Sequence, residues 1–218
     1  MSSPGIRWCV DDIADAIAEG LIRHVEADRA AQSVRGIDAL DEVSLHPILA
    51  DSLRHAGFGV HREQRYISAR ATRSRSEGRR CDLVLTPDAR PLQDPRAAAT
   101  LFDDPQAVPL EEAFWLEVKT VAQYTEMGPN QSWSSDILET VRADVTKLAN
   151  DPNIFHAGLL IVLWVESVEV AEHDLGIWQD RCLDKRLPIA APAQQTFPIQ
   201  DRLGNAHCVL RVYPVRHL

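Results

Sequence analysis

The run Ala157-Gly158-Leu159-Leu160-Ile161-Val162-Leu163-Trp164-Val165 constrains this chain more than any other segment. Successive strand residues face opposite sides of a sheet. A strand that is apolar on both faces therefore belongs in the middle of a sheet that is covered on both sides. The run falls well short of the roughly 18 apolar residues that a membrane helix needs. The rest of the chain supplies cover. Val10, Ile13, Ile17, Leu21 and Val25 recur at helical spacing within residues 9–33, and Val43, Leu45, Ile48, Leu49 and Leu53 do so within 42–56. Pro47 predicts a kink in the second helix or a start near Ser44. A third stripe, Ile137, Leu138, Val141, Val145 and Leu148, predicts a helix over about 136–150, capped by Ser135 or by an Asp136–Glu139 capping box. Residues 168–186 read as helical. Further strands are expected over 58–69, 81–86, 114–122 and 206–213.

Pro87, Pro91, Pro95, Pro105 and Pro109 punctuate residues 87–112, which read as an insertion rather than a sheet element. The expected class is α/β, a central mixed sheet flanked by helices. Residues 1–36 read as an N-terminal helical extension and 37–218 as one domain, which suits a chain of 218 residues. The N-terminus lacks the pattern of a signal peptide. Cys9, Cys81, Cys182 and Cys208 are far apart, with no CxxC spacing for structural zinc. A cytoplasmic setting with no membrane association is the expectation.

Two strands carry charge where apolar residues belong. Phe114-Trp115-Leu116-Glu117-Val118-Lys119-Thr120 places Glu117 and Lys119 on one face, and Cys81-Asp82-Leu83-Val84-Leu85 adds Asp82. Buried charges are costly unless paired or bound to a metal. An Asp on one strand followed by Glu-X-Lys on the next resembles the PD-(D/E)XK nuclease superfamily, with Asp82, Glu117 and Lys119 as the matching residues and Cys81 where the name has proline. The element order helix, strand, strand, strand, helix, strand agrees with that resemblance over roughly residues 40–165.

The resemblance implies a restriction-endonuclease-like core and a Mg²⁺- or Mn²⁺-dependent endonuclease acting on DNA in restriction, defence or repair, with RNA left open. It implies Asp82, Glu117 and the Val118 carbonyl as metal ligands. Lys119 would orient or deprotonate water, or stabilise developing charge. A further acid is expected from the first core helix, where Glu42 matches best; Glu63 on the first strand is its rival. Bland readings stand beside these: an exposed acid at a helix start for Glu42, an arginine partner for Glu63, a structural ion pair for Lys119. His46 lies one helical turn after Glu42 and can share its face. Gln123 follows the Glu-X-Lys strand, where a polar side chain can touch water or substrate or simply end the strand.

The net charge of −9 opposes non-specific nucleic-acid binding by the whole surface. Arg65, Arg70, Arg73, Arg75, Arg79 and Arg80 nevertheless crowd together just before Asp82. Arg70, Arg73, Arg75, Arg79, Arg80 and, later, Lys147 are candidates for phosphate contacts; a solvated hairpin tip is the alternative for the arginines. A non-catalytic interaction module or a subunit of a larger complex is the alternative for the chain. Its acidic surface and first helix leave room for a homodimer or another protein.

Overall fold

The computed structural model describes residues 5–67, 80–93 and 104–216. Its centre is the apolar run, which forms β6 (His156–Val165), buried from Ala157 onward. β3 (Phe114–Ala122) lies parallel to β6 on one side, from Phe114↔His156 to Ala122↔Trp164. β8 (His207–Val215) lies antiparallel on the other. β2 (Arg80–Thr86) and β1 (Gly59–Arg65) extend the sheet beyond β3, and β7 (Ala193–Pro198) closes it beyond β8. The order is β1-β2-β3-β6-β8-β7, mixed in direction. A small hairpin of β4 (Tyr124–Thr125) and β5 (Gly128–Pro129) follows β3, with Gly128 at a φ of 96° that favours glycine.

Helices cover both faces. α1 (Val10–Ala30) and α2 (Glu42–His55) bury Ile13, Ile17, Leu21, Leu45, Leu49 and Leu53 against Leu83, Leu116, Leu160 and Leu210. α3 (Val141–Ala149) and α4 (Val168–Asp184) bury Val141, Val145, Leu175 and Trp178 against Trp115, Leu159, Ile161 and Tyr213. The expected α/β class with a flanked mixed sheet is what the chain adopts.

Several local expectations need correction. The first helix is a packed layer of the common core, in contact with α2, β7 and β8, and not an appended extension. α2 begins at Glu42 because Asp41 caps it, its Oδ1 accepting the Ser44 N–H at 2.7 Å. The helix runs through Pro47. The carbonyl that loses its donor belongs to Val43, which is 69% exposed and can bond to water instead. The third helix is composite: a turn at Trp133–Ser135, a wide π-type turn at Asp136–Thr140, then α3. Ser135 and Asp136 lie within helical backbone and Ser135 makes no side-chain cap. The described parts of 87–112 are docked, with Val108 and Leu110 buried and Val108 bridged to Leu92.

α1 and α2 cross where Gly20 meets Ser52. A Cβ on Gly20 would lie 1.7 Å from Ser52 Oγ and 3.0 Å from its Cα. Gly20→Ala is therefore expected to destabilise the protein by about 1–3 kcal/mol in denaturant unfolding, despite alanine's better helix propensity. Adding Ser52→Gly should recover part of that loss.

Candidate metal centre

Past Leu116, β3 loses its neighbour on one side. The β2–β3 ladder runs only from Leu83↔Leu116 to Leu85↔Phe114, while β3 stays paired with β6 to Ala122. N–H groups on the abandoned edge need other acceptors. Carboxylates supply them: Val118 N–H donates to Asp82 Oδ2 at 2.8 Å, and Thr120 N–H to Glu42 Oε2 at 3.4 Å. Asp82 is thus pinned in the mouth of the fork where β2 and β3 part.

The β1–β2 ladder is interrupted at the same level. Arg62↔Leu83 and Gln64↔Cys81 pair, but Glu63 and Asp82 do not. Glu63 has a φ of 54°, a left-handed conformation that costs a non-glycine residue on the order of 1 kcal/mol. One ligand atom each from Glu63, Asp82 and His46 lies within 4.8 Å of the others. Glu63 is exposed, Asp82 half-buried and His46 buried. Neither ring nitrogen of His46 has a hydrogen-bond partner within the protein.

Glu117 stands beside this group, 4% exposed. Tyr66 donates its hydroxyl to Glu117 Oε1 at 2.5 Å, and its ring stacks on Trp115 with centroids 5.6 Å apart. Burial, and then the charge of Asp82, push the Glu117 carboxyl up to about 9; the Tyr66 hydrogen bond and the Lys147 charge pull it down. Glu117 therefore keeps a proton at neutral pH and lies close enough to hydrogen-bond Asp82. Burial raises the Tyr66 phenol, so Tyr66 stays a neutral donor.

Lys147, on α3, faces the carboxylates from the other layer. Burial works against its charge, but the hydrogen bond to Asp144, at 2.5 Å, and the charges of Glu117 (once ionised), Asp144 and Asp82 prevail and raise its pKa. Lys119 takes a different course. Alternation places its Cα on the side of Glu117, yet its amine ion-pairs with Glu42 at 3.0 Å. The long side chain reaches the open edge of β3 and meets the start of α2 there.

The expected residues thus divide. Asp82, Glu63 and His46 converge, Glu117 adjoins Asp82, and Lys147 faces both carboxylates. Glu42 and Lys119 form a pair along the same edge. Val118 contributes its N–H to Asp82. Gln123 is engaged elsewhere: its side-chain oxygen accepts the Glu166 N–H at 2.9 Å, tying the end of β3 to the end of β6. Arg80 is exposed at the start of β2. Arg70, Arg73, Arg75 and Arg79 lie outside the described residues. Tyr66 is the residue that sequence reasoning passes over; a lone tyrosine after a polar strand carries no periodic signal.

His46, Glu63 and Asp82 are placed so that together they could hold a metal ion. Half-buried Asp82, exposed Glu63 and the buried, unpartnered imidazole of His46 form an acidic cluster with the buried Glu117 carboxyl beside it. Comparison with protein-family models, curated proteins and solved structures gives no match.

The raised Glu117 pKa has a measurable sign. Folded protein holds this proton up to about pH 9, whereas an unfolded glutamate releases it near pH 4.5. The stability this contributes is complete below the unfolded value and falls as pH rises through the window up to about 9. Chelator-treated protein should lose stability across that window by at most about 1.4 kcal/mol per pH unit, the limit for one proton. Glu117→Gln should flatten the slope in urea titrations at a series of pH values.

Proposed function

We propose that this protein is a metal-dependent nuclease that hydrolyses phosphodiester bonds, with DNA as the preferred substrate, in a restriction, defence or repair role. The observation that carries the reading is the meeting of Asp82 and Glu117 at the strand fork with lysines on two sides. The resemblance to the PD-(D/E)XK superfamily supplies the reaction class, and that step is analogy.

Asp82, Glu63 and Glu117 would hold Mg²⁺ or Mn²⁺. A bound cation lowers the pKa of its water and offsets charge on the scissile phosphate. The protein's own groups prepare the site. The Val118 N–H fixes the Asp82 carboxylate, and the Tyr66 hydroxyl fixes that of Glu117. Glu42 holds the Lys119 amine at the open edge of β3, where it can orient a water or neutralise a phosphate oxygen. Lys147 adds positive charge from α3. With a net charge of −9, phosphate attraction has to be local. Arg80, the arginines that precede it and Lys147 are the groups for that role.

The test is incubation with plasmid, linear duplex, single-stranded DNA and RNA, each with Mg²⁺, Mn²⁺ or chelator. Cleavage that needs metal is expected. Asp82→Asn and Lys119→Ala should each lower its rate by about 100-fold or more, while Lys119→Ala leaves metal affinity unchanged or raised. Nucleic-acid binding with no cleavage under any metal would replace this reading with that of a non-catalytic interaction module.

A further inference from the structure

The geometry points to His46 as a metal ligand and to a first-row transition dication, Mn²⁺ ahead of Mg²⁺, as the ion this site selects. The inference rests on the same pocket as the nuclease reading and narrows its cofactor.

His46 is 3% exposed, and both Nδ1 and Nε2 are buried without a partner in the protein. Unmet polar atoms in a core are uncommon because each forfeits its hydration without return. His46 is not a stray residue on an apolar face, for one of its ring nitrogens lies within 4.8 Å of ligand atoms of both Glu63 and Asp82. Three elements, α2, β1 and β2, converge there. Glu63 sits at a left-handed backbone position where the β1–β2 ladder is interrupted, opposite Asp82. The Val118 N–H orients the Asp82 carboxylate.

The donor chemistry selects the ion. Mg²⁺ takes oxygen ligands and gives up water reluctantly, whereas imidazole suits the first-row transition dications. One imidazole with two carboxylates therefore favours Mn²⁺, and the metals beyond it in the affinity order, over Mg²⁺. Glu117, hydrogen-bonded by Tyr66 and next to Asp82, adds a further carboxyl beside the group.

Two measurements on the full chain test this. Calorimetric titration with Mn²⁺ and with Mg²⁺ should show Mn²⁺ binding at least about tenfold tighter, and His46→Ala should lose about tenfold or more in Mn²⁺ affinity with little change for Mg²⁺. His46→Asn, which keeps a polar side chain in the cavity, guards against misfolding of the alanine variant and should lose affinity likewise. Pulsed electron paramagnetic resonance of the parent protein with one equivalent of Mn²⁺ needs no variant. It should show ¹⁴N modulation from a directly bound imidazole. Mn²⁺ bound with no nitrogen coupling, or equal Mn²⁺ and Mg²⁺ affinity in the parent, would overturn the assignment of His46 while leaving the nuclease reading to its cleavage assay. Metal bound through nitrogen with no cleavage of any nucleic acid would uphold His46 and remove the nuclease reading instead.

Discussion

The structure turns on one hydrogen bond, from the Val118 N–H to the Asp82 carboxylate. β3 is held along its full length by β6 but by β2 only as far as Leu116. A sheet that stops pairing in its interior exposes backbone donors that must be satisfied. Here side-chain carboxylates take the place of a strand: Asp82 serves Val118, and Glu42 serves Thr120 two residues further along the same edge. That substitution opens the fork and loads it with negative charge. It also fixes the carboxylates more firmly than rotamer preference alone, because each is tied to the central ladder of the fold.

Such an arrangement runs against stability. Glu117 is buried next to another carboxylate and keeps its proton at neutral pH, and His46 is buried without a partner. Replacing clusters like this with apolar side chains often stabilises a protein. The rest of the molecule offsets the cost. β6 is buried between two continuous apolar layers, one formed with α1 and α2 and the other with α3 and α4. Tyr66 links the two regimes: its ring stacks on Trp115 in the core, and its hydroxyl reaches Glu117 in the site. Several local rules are broken together at the fork, a pattern expected where function rather than stability sets the side chains.

Much of this was legible in the residues. The unbroken apolar run fixed β6 as central, and 3.6-residue stripes fixed α1 and α2 to within a turn, while the third stripe was expected to be helical from about 136 and becomes α3 only at Val141. Charged residues inside apolar strands singled out Asp82 and Glu117, and the helical spacing from Glu42 brought in His46. What escaped had physical causes. β7 reads Ala-Gln-Gln-Thr-Phe-Pro and buries only Ala193 and Phe197, so an edge strand left too faint an alternation to find. Strand alternation placed Lys119 with Glu117, but a four-carbon side chain at an open edge is free to reach around to Glu42. The first helix read as an N-terminal extension because two of its partners, β7 and β8, lie far along the chain. Among the described residues, no helix is long and apolar enough to cross a membrane.

Anomalous diffraction tests most directly whether the fork is a cation site. A crystal grown with saturating Mn²⁺ and measured at the manganese edge should show one strong peak between Asp82, Glu63 and His46, within bonding distance of all three. The Glu117 carboxylate should lie beside it and the Lys119 amine should still sit on Glu42. An empty fork at saturating Mn²⁺, with the Lys147 amine lying between the carboxylates, would contradict a cation site and make the cluster a structural ion network.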